Sequence, residues 1–95
     1  MEAFTNEENR WADELGHRVV EQIRKNNFDV QSIIQDCEAY IRDNTISEPF
    51  RECMAHAAQF LKLSVKYHDK EILELAELAI FGTMYCNLYK QDFGL

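Results

Sequence analysis

Residues 72–89, ILELAELAIFGTMYCNLY, form the stretch around which the rest of this chain is organised. At about 100° per residue, the spacing of its apolar residues predicts a helix. From Leu78 onward almost every direction around this helix is apolar, which is typical of a helix that is buried or that lends a second face to something else. The stretch is too short and too interrupted to cross a bilayer, which takes about 20 apolar residues. We therefore expect the other segments to surround this helix and any binding site to include its far side.

The two faces of this helix differ in composition. One face is predicted to lie in the core and consists of Ile72, Leu75, Ala76, Ala79 and Thr83. The opposite face begins acidic and ends apolar, with Glu74, Glu77, Phe81, Tyr85 and Leu88. Because acidic and aromatic groups together suit a basic, partly apolar site on a partner, this second face is the candidate binding surface. The alternative is that helices pack on both sides of a central helix, in which case the second face is also core.

The composition favours a single all-α domain over residues 1–95. The apolar fraction of 46% is typical of a globular chain with a real core. Only 3 glycines and 1 proline are present, fewer than sheets and long loops normally need. The periodicity predicts four helices in a compact antiparallel four-helix bundle, at about residues 6–25, 30–42, 48–67 and 70–90.

Helix-capping residues support these boundaries. Thr5 and Glu8 have the spacing of a capping box before the first helix. Pro49 is tolerated in the first turn of the third helix because no N–H partner is lost there. The residues predicted to cap the other three helices are Asp29, Ser47 and Asp69.

The apolar stripes predicted to face the core indicate the positions of two further residues, Val65 and Trp11. The third helix has an inner stripe that extends as far as Val65. Trp11 lies at the edge of the stripe on the first helix, which consists of Ala12, Leu15, Val19 and Ile23. Trp11 is therefore either a rim residue packed on a neighbouring helix or an interface anchor, a role in which tryptophan is enriched.

Charge and cysteine usage limit the partners and the compartment. The net charge of −7 argues against binding to nucleic acid or to an anionic membrane, since both need basic surface. It suits a basic protein partner, although the same charge also serves solubility. The odd number of dispersed cysteines predicts three reduced, buried thiols in a cytoplasmic protein, and the N-terminal residues show no signal peptide. The three cysteines are Cys37, Cys53 and Cys86.

The candidate chemistry is sparse, and we expect no enzyme activity, no cofactor and no metal. Cys53 and His56 are three residues apart, but a metal site needs three or four ligands and the other candidates lack motif spacing. Carboxylates on two helices raise the alternative of an all-helical, Mg²⁺-dependent nucleotide pyrophosphatase. However, the glutamates on the fourth helix diverge around its axis. The carboxylates in question are Asp13, Glu14, Glu21, Glu71, Glu74 and Glu77.

The second half of the chain resembles a known family. The segment at residues 39–42, the long helix that ends at residues 63–71 and the apolar run at residues 76–85 resemble small all-helical immunity proteins. Those proteins protect bacteria from their own type VI secretion effectors of the NAD(P)-glycohydrolase and alarmone-synthetase kind. The similarity covers about residues 20–88 and rests on helix lengths and apolar spacing. It implies a non-catalytic inhibitor that occludes the active site of a toxin domain, and it carries over no binding residue.

Three other functions remain open from the sequence. One is a phage-encoded or plasmid-encoded anti-defence inhibitor that acts through an acidic surface resembling DNA. Another is the carboxylate-dependent metalloenzyme described above, and the third is a homodimeric structural module. A toxin gene beside this one would favour the immunity protein over the anti-defence inhibitor.

Overall fold

A computed structural model describes the backbone of residues 4–93 and the side chains of residues 4–88. Within that range the chain forms four α-helices and no β-strand. The helices are α1 (Asn6–Arg24), α2 (Gln31–Arg42), α3 (Glu48–Tyr67) and α4 (Lys70–Phe93). The predicted all-α four-helix bundle is therefore confirmed. No helix in the described range is both long and apolar enough to span a membrane.

The helix starts follow the predicted caps in part. Thr5 and Glu8 form the capping box of α1, in which each side chain accepts a hydrogen bond from the other residue's backbone N–H. The carboxylate of Asp69 accepts from the N–H of Glu71 at 2.9 Å and so caps α4 as predicted. Ser47 is the N-cap residue of α3, but its hydroxyl does not bond to that helix. It donates instead to Glu8, as described below.

Asp29 is not the N-cap of α2, and that prediction is wrong. The N-cap residue is Val30, which makes no side-chain capping bond. The backbone N–H of Asp29 instead donates to the side-chain oxygen of Asn27, so Asp29 belongs to the preceding turn. Val30 is fully buried, so its packing in the core, and not a capping side chain, determines where α2 begins.

The packing order leaves one side of α4 free. α4 packs against α1 and α3, α3 also packs against α2, and the contact between α1 and α2 is small. The expectation that the other segments surround the C-terminal helix is therefore wrong. Each helix sits at a corner of the bundle and turns one side to solvent. The buried residues that form the common core include Val19, Ile33, Phe50, Met54, Leu61, Leu73 and Ile80.

The face of α4 that enters the core is rotated from the predicted one. Ala76 is buried as expected, but Leu75 is exposed, while Ile72, Ala79 and Thr83 are only half-buried. Apolar residues lie on several sides of this helix, so periodicity alone does not determine which side is buried in the core. The grooves of α1 and α3 select the line of Leu73, Ala76, Ile80, Met84 and Asn87.

Two further burial predictions are corrected. Val65 lies at the edge of the α3 stripe and is exposed, whereas Ser64 beside it is buried and donates to the carbonyl oxygen of Leu61 at 2.7 Å. Cys37 and Cys53 are buried as expected, but Cys86 is exposed. Cys86 lies beside the exposed Tyr85 on the side of α4 that no other helix covers, whereas its apolar neighbour Met84 points into the core.

Candidate functional site

The solvent-exposed side of α4 is the strongest candidate surface. We call it the outer face of α4, and it consists of Glu71, Glu74, Leu75, Leu78, Gly82, Tyr85 and Cys86. These residues follow helical spacing and so form one continuous stripe along the helix. The exposed fractions are 45% for Leu75, 63% for Leu78 and 59% for Tyr85. Exposed apolar side chains gathered on one face are typical of an interaction surface, whereas single ones are ordinary.

Gly82 lies at the centre of this face. Apart from the adjoining residues and the backbone of its own helix, a methyl group built at its α-carbon would meet no atom within 4 Å. Glycine in the interior of a helix costs about 1 kcal/mol relative to alanine, so a glycine there normally has a packing or functional reason. No contact within the described chain requires position 82 to lack a side chain.

An aromatic group links the outer face to α1. The ring of Phe81 lies directly on Gly16, where an added methyl group would come within 2.8 Å of ring atom Cε1 and closer to two others. His17 meets the edge of Phe81 with the ring centroids 5.4 Å apart, and Tyr85 stacks on Phe81 at 6.1 Å. Phe81 is therefore part of the seam between α1 and α4, and it supports the exposed ring of Tyr85.

The N-terminal end of the outer face is acidic. Glu71 and Glu74 are exposed, and Glu77 is half-buried one turn before Phe81. The ion pairs that the described side chains form with one another involve other residues, such as Arg18 with Asp36 and Lys62 with Glu38. The carboxylates of Glu71 and Glu74 therefore keep their charge available for a partner.

The structure brings most of the predicted binding residues together, with one exception. Glu74 and Tyr85 lie on the outer face. Phe81 and Leu88 lie on the side of α4 that faces α1, and Glu77 is half-buried one turn before Phe81. Trp11 is separate. It stacks on Tyr40 of α2 and meets the edge of Phe50 of α3, with centroid distances of 5.2 and 5.9 Å. The rim interpretation of Trp11, with packing on neighbouring helices, matches these contacts.

Leu75, Leu78 and Gly82 were not identified from sequence as members of a binding surface. The periodicity predicts Leu75 to be core, and Leu78 begins the part of the helix that is apolar in almost every direction. The available signal was the apolar composition on more than one side of α4, which indicates a second face without saying which residues occupy it. Only the positions of α1 and α3 determine that.

An open cavity lies along the same seam between α1 and α4. Its volume is about 240 Å³, and its lining residues are Asn9, Arg10, Asp13, Met84 and Leu88. The side-chain oxygen of Asn9 is buried and has no hydrogen-bond donor. Leu88 is one turn from Tyr85, so the cavity adjoins the outer face of α4.

The predicted chemical candidates do not converge. No group of three or more His, Cys, Asp and Glu side chains among the described residues could hold a metal ion. His56 is exposed, whereas Cys53 is buried with its sulfur 3.5 Å from the carbonyl oxygen of Ala79. Burial raises the pKa of the Cys53 thiol to about 11 and that of the Cys37 thiol to about 12, which makes both poor nucleophiles at neutral pH.

Comparisons with known proteins found no relative. No protein-family model matches this chain, and neither a curated protein nor a solved structure is similar to it at a significant level.

Proposed function

We propose that this protein is a non-catalytic inhibitor that binds another protein through the outer face of α4. The observation that carries the proposal is the exposure of Leu75, Leu78 and Tyr85 on one side of a helix, around a glycine that the fold itself does not require. Apolar surface exposed to water raises the free energy of the protein, and burial of this face against a partner would lower it.

The charge of the protein favours a basic partner over a second copy of the same chain. The net charge is −7, and the outer face carries the carboxylates of Glu71 and Glu74 at one end. Two copies would approach each other with the same acidic charge, which opposes association. A basic protein would be attracted by it, and its encounter rate would rise as the salt concentration falls.

The more specific form of the proposal is a cytoplasmic immunity protein that occludes the active site of a cognate toxin domain. It rests on the resemblance of about residues 20–88 to small all-helical immunity proteins, together with the acidic charge and the outer face. The apolar side chains favour a partner with an apolar site over an anti-defence target that recognises acidic charge alone. A toxin domain that binds a negatively charged substrate would supply both basic and apolar contacts.

The test begins with the protein as bait in extract from its native host. The captured partner is identified, purified and titrated with the protein by calorimetry, and its enzymatic activity is measured with increasing inhibitor. We expect one-to-one binding and loss of the toxin's activity at stoichiometric inhibitor. Binding without any effect on the partner's activity would contradict the inhibitor role.

A matched pair of tyrosines tests the surface. Tyr85 on the outer face and Tyr67 at the end of α3 are equally exposed, at 59% and 60%. Tyr85→Ala should weaken binding of the purified partner by about 2 kcal/mol, as expected for an aromatic hot spot, while Tyr67→Ala should leave it unchanged. The reverse result would move the binding surface to α3.

A further inference from the structure

The exposed residues of α4 follow a heptad pattern. Glu71, Leu75, Leu78, Gly82 and Tyr85 are alternately four and three residues apart, and all five are exposed. Residues at this spacing form a narrow stripe that stays aligned with a second helix crossing at about 20°. The residues of α4 that are buried in the core lie on another side of the helix, so packing among the described residues does not account for this stripe.

The stripe also provides the holes that a second helix needs. In paired helices, a side chain of one helix fits between four residues of the other, at positions i, i+3, i+4 and i+7. Two such holes overlap in the middle of the stripe and share Gly82. Because glycine has no side chain, both holes have room for a large apolar residue of the other helix. The first hole consists of Leu75, Leu78, Ala79 and Gly82, and the second of Leu78, Phe81, Gly82 and Tyr85.

An extended segment would gain less from this surface than a helix. A bound strand adds backbone hydrogen bonds to the edge of a sheet, and the part of the chain that the structure describes contains no strand. The backbone groups in the middle of α4 are bonded to one another along the helix. Binding to this face therefore depends on side chains, and a helix is the element that presents its own at the matching spacing.

The acidic end of the stripe favours one charge and one direction for that helix. Glu71 lies in the first turn of α4, and Glu74 flanks the stripe one turn later. Neither takes part in the ion pairs between described side chains. Because the helix dipole favours basic residues near a C-terminus, a helix antiparallel to α4 would bring its basic end to these two glutamates.

We propose that the outer face of α4 binds an amphipathic α-helix of the partner protein. This helix runs antiparallel to α4, places large apolar side chains over Gly82 and carries arginine or lysine near its C-terminus. The contact extends over about 21 Å, or about four turns of α4. The inference rests on the proposed function, because it names the part of the partner that the inhibitor binds. A second copy of this chain is disfavoured by the net charge of −7 on each copy.

The experiment uses three synthetic peptides of about 18 residues and no partner protein. The first has leucines alternately three and four residues apart, alanine and glutamine elsewhere, and two arginines in its last turn. The second carries the arginines in its first turn instead, and the third has the composition of the first with its leucines distributed around the helix. The first peptide should become helical on binding the full-length protein. It should bind about fivefold more tightly than the second and about tenfold more tightly than the third.

NMR locates the bound peptide and its direction. The first peptide should shift the methyl signals of Leu75 and Leu78 in a saturable way. A nitroxide at the C-terminus of this peptide should broaden the amide signals of Glu71 and Glu74 more than that of Tyr85. Stronger broadening at Tyr85 would overturn the antiparallel direction.

Variants of the stripe provide matched controls. Leu78→Asp should abolish binding of the first peptide, whereas Val65→Asp, at an exposed aliphatic residue of α3, should leave it unchanged. Gly82→Ala should weaken binding about fivefold while it stabilises the fold, so the loss would not come from unfolding. The double variant Glu71→Gln and Glu74→Gln should remove the preference for the first peptide over the second.

Two results would overturn the inference. One is equal binding of the first and third peptides, which would show that the face does not recognise a heptad pattern. The other is a dimer of the protein in sedimentation that Leu78→Asp dissociates, which would show that a second copy covers the face.

The inference and the proposed function can fail separately. If Tyr85→Ala weakens binding of the captured partner but the first peptide does not bind, the partner uses the outer face without a helix of this kind. If the first peptide binds but the captured partner keeps its activity at saturating protein, the helix site stands and the inhibitor role is wrong.

Discussion

The carboxylate of Glu8 in α1 accepts hydrogen bonds from both the backbone N–H and the hydroxyl of Ser47, the N-cap residue of α3. The distances are 2.9 and 2.7 Å. The same carboxylate accepts from the N–H of Thr5 at 3.0 Å, and Glu8 is only 3% exposed. One buried side chain therefore closes the N-termini of two helices and places its negative charge where both helix dipoles favour it.

Removal of this carboxylate should destabilise the whole bundle. Glu8→Ala leaves the N–H groups of Thr5 and Ser47 without partners, so we expect a loss of about 2–3 kcal/mol in the free energy of unfolding. Glu8→Gln should cost less, because the amide keeps one acceptor oxygen. Urea unfolding measures both. Glu7→Gln, an exposed glutamate in the same turn, is the control and should change little.

The same residue should make stability depend on pH. Burial alone would raise the pKa of the Glu8 carboxyl, but the hydrogen bonds from Thr5 and Ser47 outweigh it and lower the pKa from 4.5. A lowered pKa in the folded state stabilises the protein fully above pH 4.5, and this contribution is lost as the pH falls through the lowered value. The stability difference between wild type and Glu8→Gln should therefore shrink from pH 6 to pH 3. A constant difference would contradict this account.

The two helical glycines of the described chain should respond to alanine with opposite signs. Gly82→Ala adds a methyl group into open space and should stabilise the fold by about 1 kcal/mol through helix propensity. Gly16→Ala drives a methyl group into the ring of Phe81 and should destabilise it by about 1–3 kcal/mol. Thermal unfolding of the two variants provides the comparison. Stabilisation by Gly16→Ala would show that α1 and α4 can separate freely.

The three thiols should differ in reactivity. Cys86 is exposed, whereas Cys37 and Cys53 are buried and burial raises the pKa of each thiol. A disulfide reagent at pH 8 should modify Cys86 within the native protein and reach the other two only after denaturation. Cys86→Ser should abolish the native reaction. Rapid modification of that variant would place a second thiol at the surface.

Substitution of Phe81 should mainly affect stability, whereas substitution of Tyr85 should mainly affect binding of the partner. Phe81 is half-buried on Gly16, so Phe81→Ala should lower the free energy of unfolding by about 2 kcal/mol or more. Tyr85→Ala should unfold at nearly the same temperature as wild type and bind the partner more weakly. Glu74→Gln should mainly reduce the association rate and its dependence on salt. A melting temperature that collapses in Tyr85→Ala would show that its ring is structural.

Much of the secondary structure could be read from the sequence because its signals are local. The capping box of Thr5 and Glu8, the cap at Asp69 and the proline at position 49 act within one turn of the chain. They place helix ends without reference to the rest of the fold. Asp29 shows the limit of such signals, because the burial of Val30 beside it decided where α2 begins.

The candidate site depended on tertiary structure. The sequence shows that α4 has more apolar residues than one buried face requires. It also predicts that Tyr85 and the acidic residues near the start of the helix belong to a binding surface. Which side of the helix stays exposed follows from the positions of α1 and α3, which bury Leu73 and Ile80 and leave Leu75 and Leu78 in solvent. The bond between Glu8 and Ser47 and the contact between Gly16 and Phe81 join residues 39 and 65 positions apart. Helical periodicity acts over a few residues, so it determines which side chains share one side of a helix. Packing between helices determines which of those sides is buried and which is exposed to solvent.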